Sequence, residues 1–287
     1  MLQRNPWIPT LFFFPILYAL GWLIVRPLLL VRPSIDVDDL SLIGTLITFL
    51  CFLLLAPSWV KLRWRNPYPW NGLGLKEDHI KHIIPLFCKG LIYSILLNIF
   101  MLFVLFSGSW VNGFGVISYG ALINALFLGL GVGFAEELIF RGWLFGEMML
   151  LIGPRWAIIG QAAIYSLLHL PFQLPISDFL GLFLGVFLFG ILLAIMRIGE
   201  GGSLYSCIGL HGGLVGGWFS LNSGLIEVSK DAPAWLIGPG EDVSNPMGGM
   251  IVITFLLICL FYKRSAFRRL GLFFDLTVNA SSNKDLP

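Results

Sequence analysis

Two adjacent carboxylates stand in an apolar stretch of the chain, at Glu136 and Glu137, and a guanidinium follows four residues after the second, at Arg141. Residues four apart share one face of a helix, whereas direct neighbours point about 100° apart. Glu137 is therefore predicted to neutralise Arg141, which leaves Glu136 without a partner. An unpaired acid inside an apolar segment is a candidate for proton transfer.

His169 is the predicted partner of Glu136. A turn around Gly153 and Pro154 is expected to join two antiparallel helices, and Glu136 precedes this turn by about as many residues as His169 follows it. At equal rise per residue the two side chains reach a similar depth in the membrane. The alternative is a hydrogen-bonded histidine of the core with no chemical role.

A second histidine, His211, lies in the glycine-rich segment 209–217. Glycines at this density let a neighbouring helix or an extended peptide approach the backbone closely. The segment is therefore either a packing face that carries an incidental histidine, or a support that aims a hydrogen-bond donor into a cleft.

An acid and two imidazoles in a membrane cavity fit two mechanisms for hydrolysing an amide. In the first, Glu136 and His169 deprotonate a water molecule, and His211 donates a hydrogen bond to the developing oxyanion. In the second, the same three side chains bind a divalent metal whose water is the nucleophile. The HExxH and GxSxG motifs of other hydrolases are absent from the sequence.

Composition indicates that these residues are held in a membrane. Of the 287 residues, 57% are hydrophobic and 12% are charged, which excludes a water-soluble globular fold. The net charge of +2 gives no basis for nucleic-acid binding. The predicted fold is an all-α polytopic bundle of about eight transmembrane helices. Their approximate cores are 8–31, 40–60, 83–107, 117–150, 155–172, 179–197, 203–223 and 247–262.

The basic residues indicate the orientation of this bundle, because Lys and Arg are retained on the cytoplasmic side of a membrane. A cytoplasmic N-terminus leaves Arg32 and Lys230 as the basic residues of the opposite loops. Both termini are therefore predicted to be cytoplasmic.

The same residues resemble the CPBP intramembrane proteases, also called the Abi or CAAX-protease-like family, which includes the prenyl-protein endopeptidase Rce1. The family motif EExxxR is matched in full by Glu136, Glu137 and Arg141. The motif FxxxH is represented by the segment from Tyr165 to His169, with Tyr in place of Phe.

The third family motif, HxxxN or HxxxD, is only half present. His211 is followed four residues later by Val215, so the resemblance implies a site that lacks one side-chain hydrogen-bond donor. Loss of one oxyanion donor costs about 100- to 1,000-fold in rate. The resemblance covers about 115–225.

The resemblance implies roles for these residues. Glu136 is the expected catalytic base, His169 helps to activate the water, and His211 stabilises the oxyanion. The residues expected to shape the site are Glu137, Arg141 and Tyr165. Many relatives are described as metalloproteases, whereas the Rce1 branch is described as working with a glutamate and no obligatory metal. The expected cofactor is therefore either none or a divalent metal such as zinc, held by Glu136, His169 and His211.

Three regions are predicted: N-terminal spans and a cytoplasmic surface loop (1–114), a protease-like core (115–225), and a loop, last span and tail (226–287). The expected activity is intramembrane cleavage of a membrane-tethered protein or peptide, with CAAX processing as one form. The alternatives are a non-catalytic membrane scaffold or protective partner, and a transporter that uses the same groups as a proton relay. The resemblance further suggests a bacterial source, for instance cyanobacterial, with the chain in the plasma membrane or an internal membrane.

Overall fold

A computed structural model describes residues 6–76, 79–171, 173–239 and 245–263. Within these ranges, five continuous helical segments are long and apolar enough to cross a membrane. They are 7–31, 37–63, 80–107, 119–168 and 176–199. The chain is therefore an integral membrane protein built as an all-α helical bundle.

The elements follow one another along the chain with short connections. The first five helices are α1 (Trp7–Val25), α2 (Leu28–Val31), α3 (Val37–Arg63), α4 (Pro69–Leu73) and α5 (Ile80–Ser107). The middle of the chain forms strand β1 (Val111–Phe114), α6 (Tyr119–Glu136), a π-helix (Glu137–Leu144), α7 (Phe145–Leu168) and α8 (Ile176–Gly199). The last part forms α9 (Tyr205–Ser220), a π-helix (Leu221–Leu225), strand β2 (Ile226–Val228), α10 (Ala234–Ile237), a 3-10 turn (Pro246–Gly248) and α11 (Met250–Tyr262). The two strands pair antiparallel.

Each of the eight predicted apolar runs contains helix, but the described helices differ in length from eight full crossings. The fourth and fifth runs form one helical segment that reverses at Gly153. The seventh and eighth runs correspond to α9 and α11, which have 16 and 13 residues. A helix needs about 20 residues to cross the hydrocarbon core, so a count of eight spans stays a prediction.

The reversal at Gly153 is a sharp break in the backbone. Gly153 has φ 78° and ψ 167°, in a region that residues with a side chain rarely adopt. The chain folds back after it, since the ring of Phe140 lies 4.9 Å from the ring of Tyr165. The two helices that flank the break are therefore antiparallel, and they bring the sequence around Glu136 beside that around His169.

Helix α9 lies between α5 and α6 with its backbone against both. A Cβ added to Gly209 would lie 2.2 Å from the carbonyl oxygen of Phe87, and one added to Gly212 would lie 2.4 Å from that of Gly129. A real Cβ atom does not lie this close to a carbonyl oxygen, so the helices can approach this closely only where the residue is glycine. The glycine-rich segment therefore serves as the packing face that its composition predicts.

The N-terminal helices are attached to α7 through Glu147, whose side chain is fully buried. The carboxylate accepts hydrogen bonds from the indole nitrogens of Trp59 and Trp64, at 2.8 and 2.6 Å, and from Nε of Arg63 at 2.7 Å. The Thr10 hydroxyl donates to the same carboxylate. The sequence alone gives no sign of this role of Glu147, because its partners come from distant parts of the chain.

Candidate active site

Glu136 and His169 meet at the open end of the hairpin. Oε2 of Glu136 lies 3.1 Å from Nε2 of His169. The other ring nitrogen, Nδ1, lies 2.7 Å from the carbonyl oxygen of Tyr165, to which it donates a hydrogen bond. A neutral ring that carries its proton on Nδ1 has a bare lone pair on Nε2. The contact with Glu136 therefore requires one further proton, held on Nε2 or on the carboxyl group.

His211 lies between the two adjacent acids. Its Nδ1 is 2.8 Å from Oε1 of Glu137, and its Nε2 is 3.8 Å from Oε2 of Glu136. Glu137 therefore fixes the orientation of the imidazole and assigns the Nδ1 proton, as a carboxylate behind a catalytic histidine does. This places Nε2 of His211 on the same side as Glu136 and His169.

Arg141 compensates the buried charge of Glu137. Both side chains have no solvent-exposed surface, and Nη1 of Arg141 donates to Oε1 of Glu137 at 2.9 Å. The guanidinium carbon also lies 3.9 Å from the centre of the Tyr165 ring, a cation–π contact. The predicted pairing along one helix face is therefore confirmed, and the arginine also holds the tyrosine ring.

The exposed fractions of the three candidate catalytic side chains show where the site is open. Glu136 and His169 are 26% and 28% exposed, whereas His211 is 6% exposed. The rings of Phe140 and Phe189 cover the buried side, against His169 and His211 respectively. A substrate therefore has access from the side of Glu136 and His169.

The metal-dependent mechanism needs three donors arranged around one ion. Among the described residues, no group of three or more His, Cys, Asp or Glu side chains is positioned to hold a metal ion. Glu136 and His169 instead hydrogen bond to each other directly. The three predicted ligands, Glu136, His169 and His211, thus do not fit a metal centre as they are arranged.

Comparison with known families identifies the segment that carries this site. Residues 117–216 match the family described as Type II CAAX prenyl endopeptidase Rce1-like. This segment is an Rce1-like domain. The match confirms the resemblance found in the motifs. Residues 1–68 match a family described as Domain of unknown function (DUF8676). No curated protein matches the chain.

The Rce1-like domain brings all six predicted site residues together. The contact between His211 and Glu137 was not predicted, because sequence spacing says nothing about which distant helix approaches a given face. One local signal is the π-helix that begins at Glu137, since π-helical turns occur frequently at functional sites. Val215, one turn after His211, carries no polar atom on its side chain.

Proposed function

We propose that the chain is an intramembrane endopeptidase that cleaves a membrane-tethered protein or peptide, with CAAX-type processing as one form of this activity. One observation carries the proposal: Oε2 of Glu136 is 3.1 Å from Nε2 of His169 and 3.8 Å from Nε2 of His211. A proton acceptor and two imidazoles that converge on one partly open point are what water-mediated amide hydrolysis requires.

The single proton shared by Glu136 and His169 is compatible with activation of a water molecule. Glu136 as a carboxylate takes a proton from a water molecule while the water oxygen attacks the carbonyl carbon of the substrate. His169 holds the extra proton of the pair on Nε2 and orients the attacking water. When the C–N bond breaks, the pair returns a proton to the leaving amine, so that both groups end in their starting states.

His211 and Glu137 act on the other side of the reacting carbonyl. The hydrogen bond from Nδ1 to Glu137, at 2.8 Å, holds the imidazole so that Nε2 faces the reacting centre. A proton on Nε2 then stabilises the oxyanion that forms in the tetrahedral intermediate. Donors that are already oriented in a site shielded from water contribute most to this kind of stabilisation.

The substrate must reach this site in an extended form. The carbonyl groups of a helix are hydrogen-bonded within the helix and covered by its side chains, so an intact transmembrane helix does not present them to a nucleophile. A membrane-tethered segment close to the end of its anchor satisfies this requirement. Prenylated C-terminal peptides and the unwound ends of transmembrane helices are the two substrate types that fit.

Contacts at one end of the bundle support a cytoplasmic location of the site, and we propose a bacterial plasma or internal membrane. Nη2 of Arg63 donates to the carbonyl oxygen of Pro6 at 2.6 Å, and the Tyr205 hydroxyl donates to that of Lys76 at 2.9 Å. The basic loops thus cluster at the end where α1 begins. His211 is roughly 9 Å along α9 from this end, at 1.5 Å per residue. The termini themselves lie outside the described residues.

The test is cleavage by the purified full chain in proteoliposomes. The substrates are a farnesylated CAAX peptide, the same peptide without the lipid, and a short transmembrane peptide. Because Glu136 takes the proton of the attacking water, Glu136→Gln should lower the rate at least about 100-fold. Glu227→Gln, which changes an exposed acid, is the control. A folded Glu136→Gln variant that cleaves at the wild-type rate would contradict the proposal and favour a non-catalytic scaffold.

A further inference from the structure

The hydroxyl group of Tyr165 lies beside the reacting centre. It is 3.4 Å from Nε2 of His211, within hydrogen-bond distance. We propose that this hydroxyl is a catalytic donor to the oxyanion and takes the place of the side-chain amide that is missing at Val215. The inference rests on the proposed endopeptidase activity and adds a residue to its machinery.

The site needs a donor that does not depend on the charge of His211. Because Nδ1 of that ring gives its proton to Glu137 at 2.8 Å, Nε2 carries a proton only when the ring is doubly protonated. In the neutral ring Nε2 is an acceptor, and the Tyr165 hydroxyl donates to it. Val215 follows on the same face of α9 one turn later and has no side-chain group that can donate. Tyr165 therefore supplies a donor in both charge states of the histidine.

The ring of Tyr165 is held on several sides, so the hydroxyl is oriented before a substrate binds. The Arg141 guanidinium carbon is 3.9 Å from the ring centre, and the rings of Phe140 and His169 are at 4.9 and 4.3 Å. Only 2% of the tyrosine is exposed. Phenylalanine would make the same ring contacts, so packing alone does not account for the hydroxyl at this buried position.

In the reaction the hydroxyl shifts its hydrogen bond and keeps its proton. As the water oxygen bonds to the carbonyl carbon, the π electrons of the carbonyl move onto its oxygen. When the His211 ring is neutral, the Tyr165 O–H turns from Nε2 to this oxyanion; when the ring is doubly protonated, the Nε2–H and the Tyr165 O–H both donate to it. When the C–N bond breaks and the carbonyl re-forms, the hydroxyl returns to His211. The amine takes its proton from the Glu136 and His169 pair, so no further reactant is needed.

The experiment combines the loss of this donor with its replacement on α9. Tyr165→Phe should lower kcat for peptide cleavage about 100-fold and leave KM within about twofold, because the donor acts on the transition state. Adding Val215→Asn to this variant should recover at least about tenfold of kcat, since it restores a donor one turn from His211. The matched control is Tyr18→Phe, which removes an exposed hydroxyl on α1.

Three results would overturn the inference: Tyr165→Phe with more than half of the wild-type kcat, a loss confined to KM, or no recovery with Val215→Asn. If Tyr165→Phe does not fold, 3,5-difluorotyrosine at position 165 keeps the ring and changes the acidity of the hydroxyl. The pH profile of kcat should then shift, and an unchanged profile would overturn the inference. Normal cleavage by Tyr165→Phe together with loss in Glu136→Gln rejects the tyrosine role alone. Equal cleavage by the wild type and Glu136→Gln rejects the endopeptidase itself.

Discussion

Glu137 makes two contacts, and a single and a double substitution can separate what each contact contributes. Its Oε1 accepts from Nη1 of Arg141 at 2.9 Å and from Nδ1 of His211 at 2.8 Å. The first contact neutralises a buried charge, and the second orients a candidate catalytic ring. Glu137→Gln keeps the size of the side chain but removes the negative charge that serves both partners.

The expected loss of stability follows from burial. Arg141 has no exposed surface, and its Nε and Nη2 have no hydrogen-bond partner among the residues that the structure describes. Breaking a buried ion pair by removing one partner costs about 3–5 kcal/mol. The glutamine oxygen still accepts one hydrogen bond from the guanidinium, so we expect a value near the lower end, about 3 kcal/mol.

The expected loss of activity follows from the proton on His211. Glu137→Gln removes the negative charge beside Nδ1, and with it the partner that stabilises the doubly protonated ring whose Nε2–H donates to the oxyanion. In serine proteases the equivalent amide substitution lowers kcat about 10⁴-fold. We expect a smaller fall of at least about 100-fold, since the ring here acts as a donor and not as the base.

Unfolding in detergent and cleavage per folded molecule measure the two effects separately. In Glu137→Gln/Arg141→Met both charges are absent, so the double variant should recover most of the lost stability. Its activity should stay low, because His211 still lacks its carboxylate. Glu227→Gln is the control for a change of charge at the surface. A free energy of unfolding of Glu137→Gln within about 0.5 kcal/mol of the wild type would contradict this prediction. A double variant that is no more stable than the single one would contradict it as well.

Two further predictions concern the rest of the domain. Glu147→Gln should destabilise the chain by about 3 kcal/mol, because four donors from α1, α3 and the residue after α3 converge on this buried carboxylate. If α1 and α3 of this variant resist proteolysis as well as those of the wild type, this prediction is wrong. Exhaustive chelation should leave peptide cleavage unchanged, because Glu136 and His169 form a direct hydrogen bond with each other. If activity is lost on chelation and restored by added zinc, these side chains must instead rearrange around a metal.

Local geometry explains which parts of the site the sequence predicts. The pairing of Glu137 with Arg141 needs only the periodicity of a helix. The meeting of Glu136 with His169 needs in addition one reversal midway between them, and the break at Gly153 supplies it. The first pair is separated by one helical turn. The second pair is joined by a hairpin, in which the equal rise of the two helices makes the contact predictable.

Contacts between distant helices are not predictable in this way. Glu137 and His211 are 74 residues apart, and Glu147 meets Thr10 across 137 residues. Each of these contacts depends on which faces of several helices pack together, and a single sequence does not specify this. The number of membrane crossings is also not fixed by hydropathy alone, because the seventh and eighth apolar runs form helices of only 16 and 13 residues, α9 and α11.

Helix packing is itself part of the candidate catalytic arrangement. His211 reaches both acids because the next residue, Gly212, lets α9 lie directly against α6, where a Cβ would come within 2.4 Å of the carbonyl oxygen of Gly129. Any side chain at position 212 would push α9 away and carry the imidazole with it. A hydrogen bond of 2.8 Å to Glu137 does not survive a displacement of 1 Å. The glycines that pack α9 against its neighbours therefore also determine the position of His211.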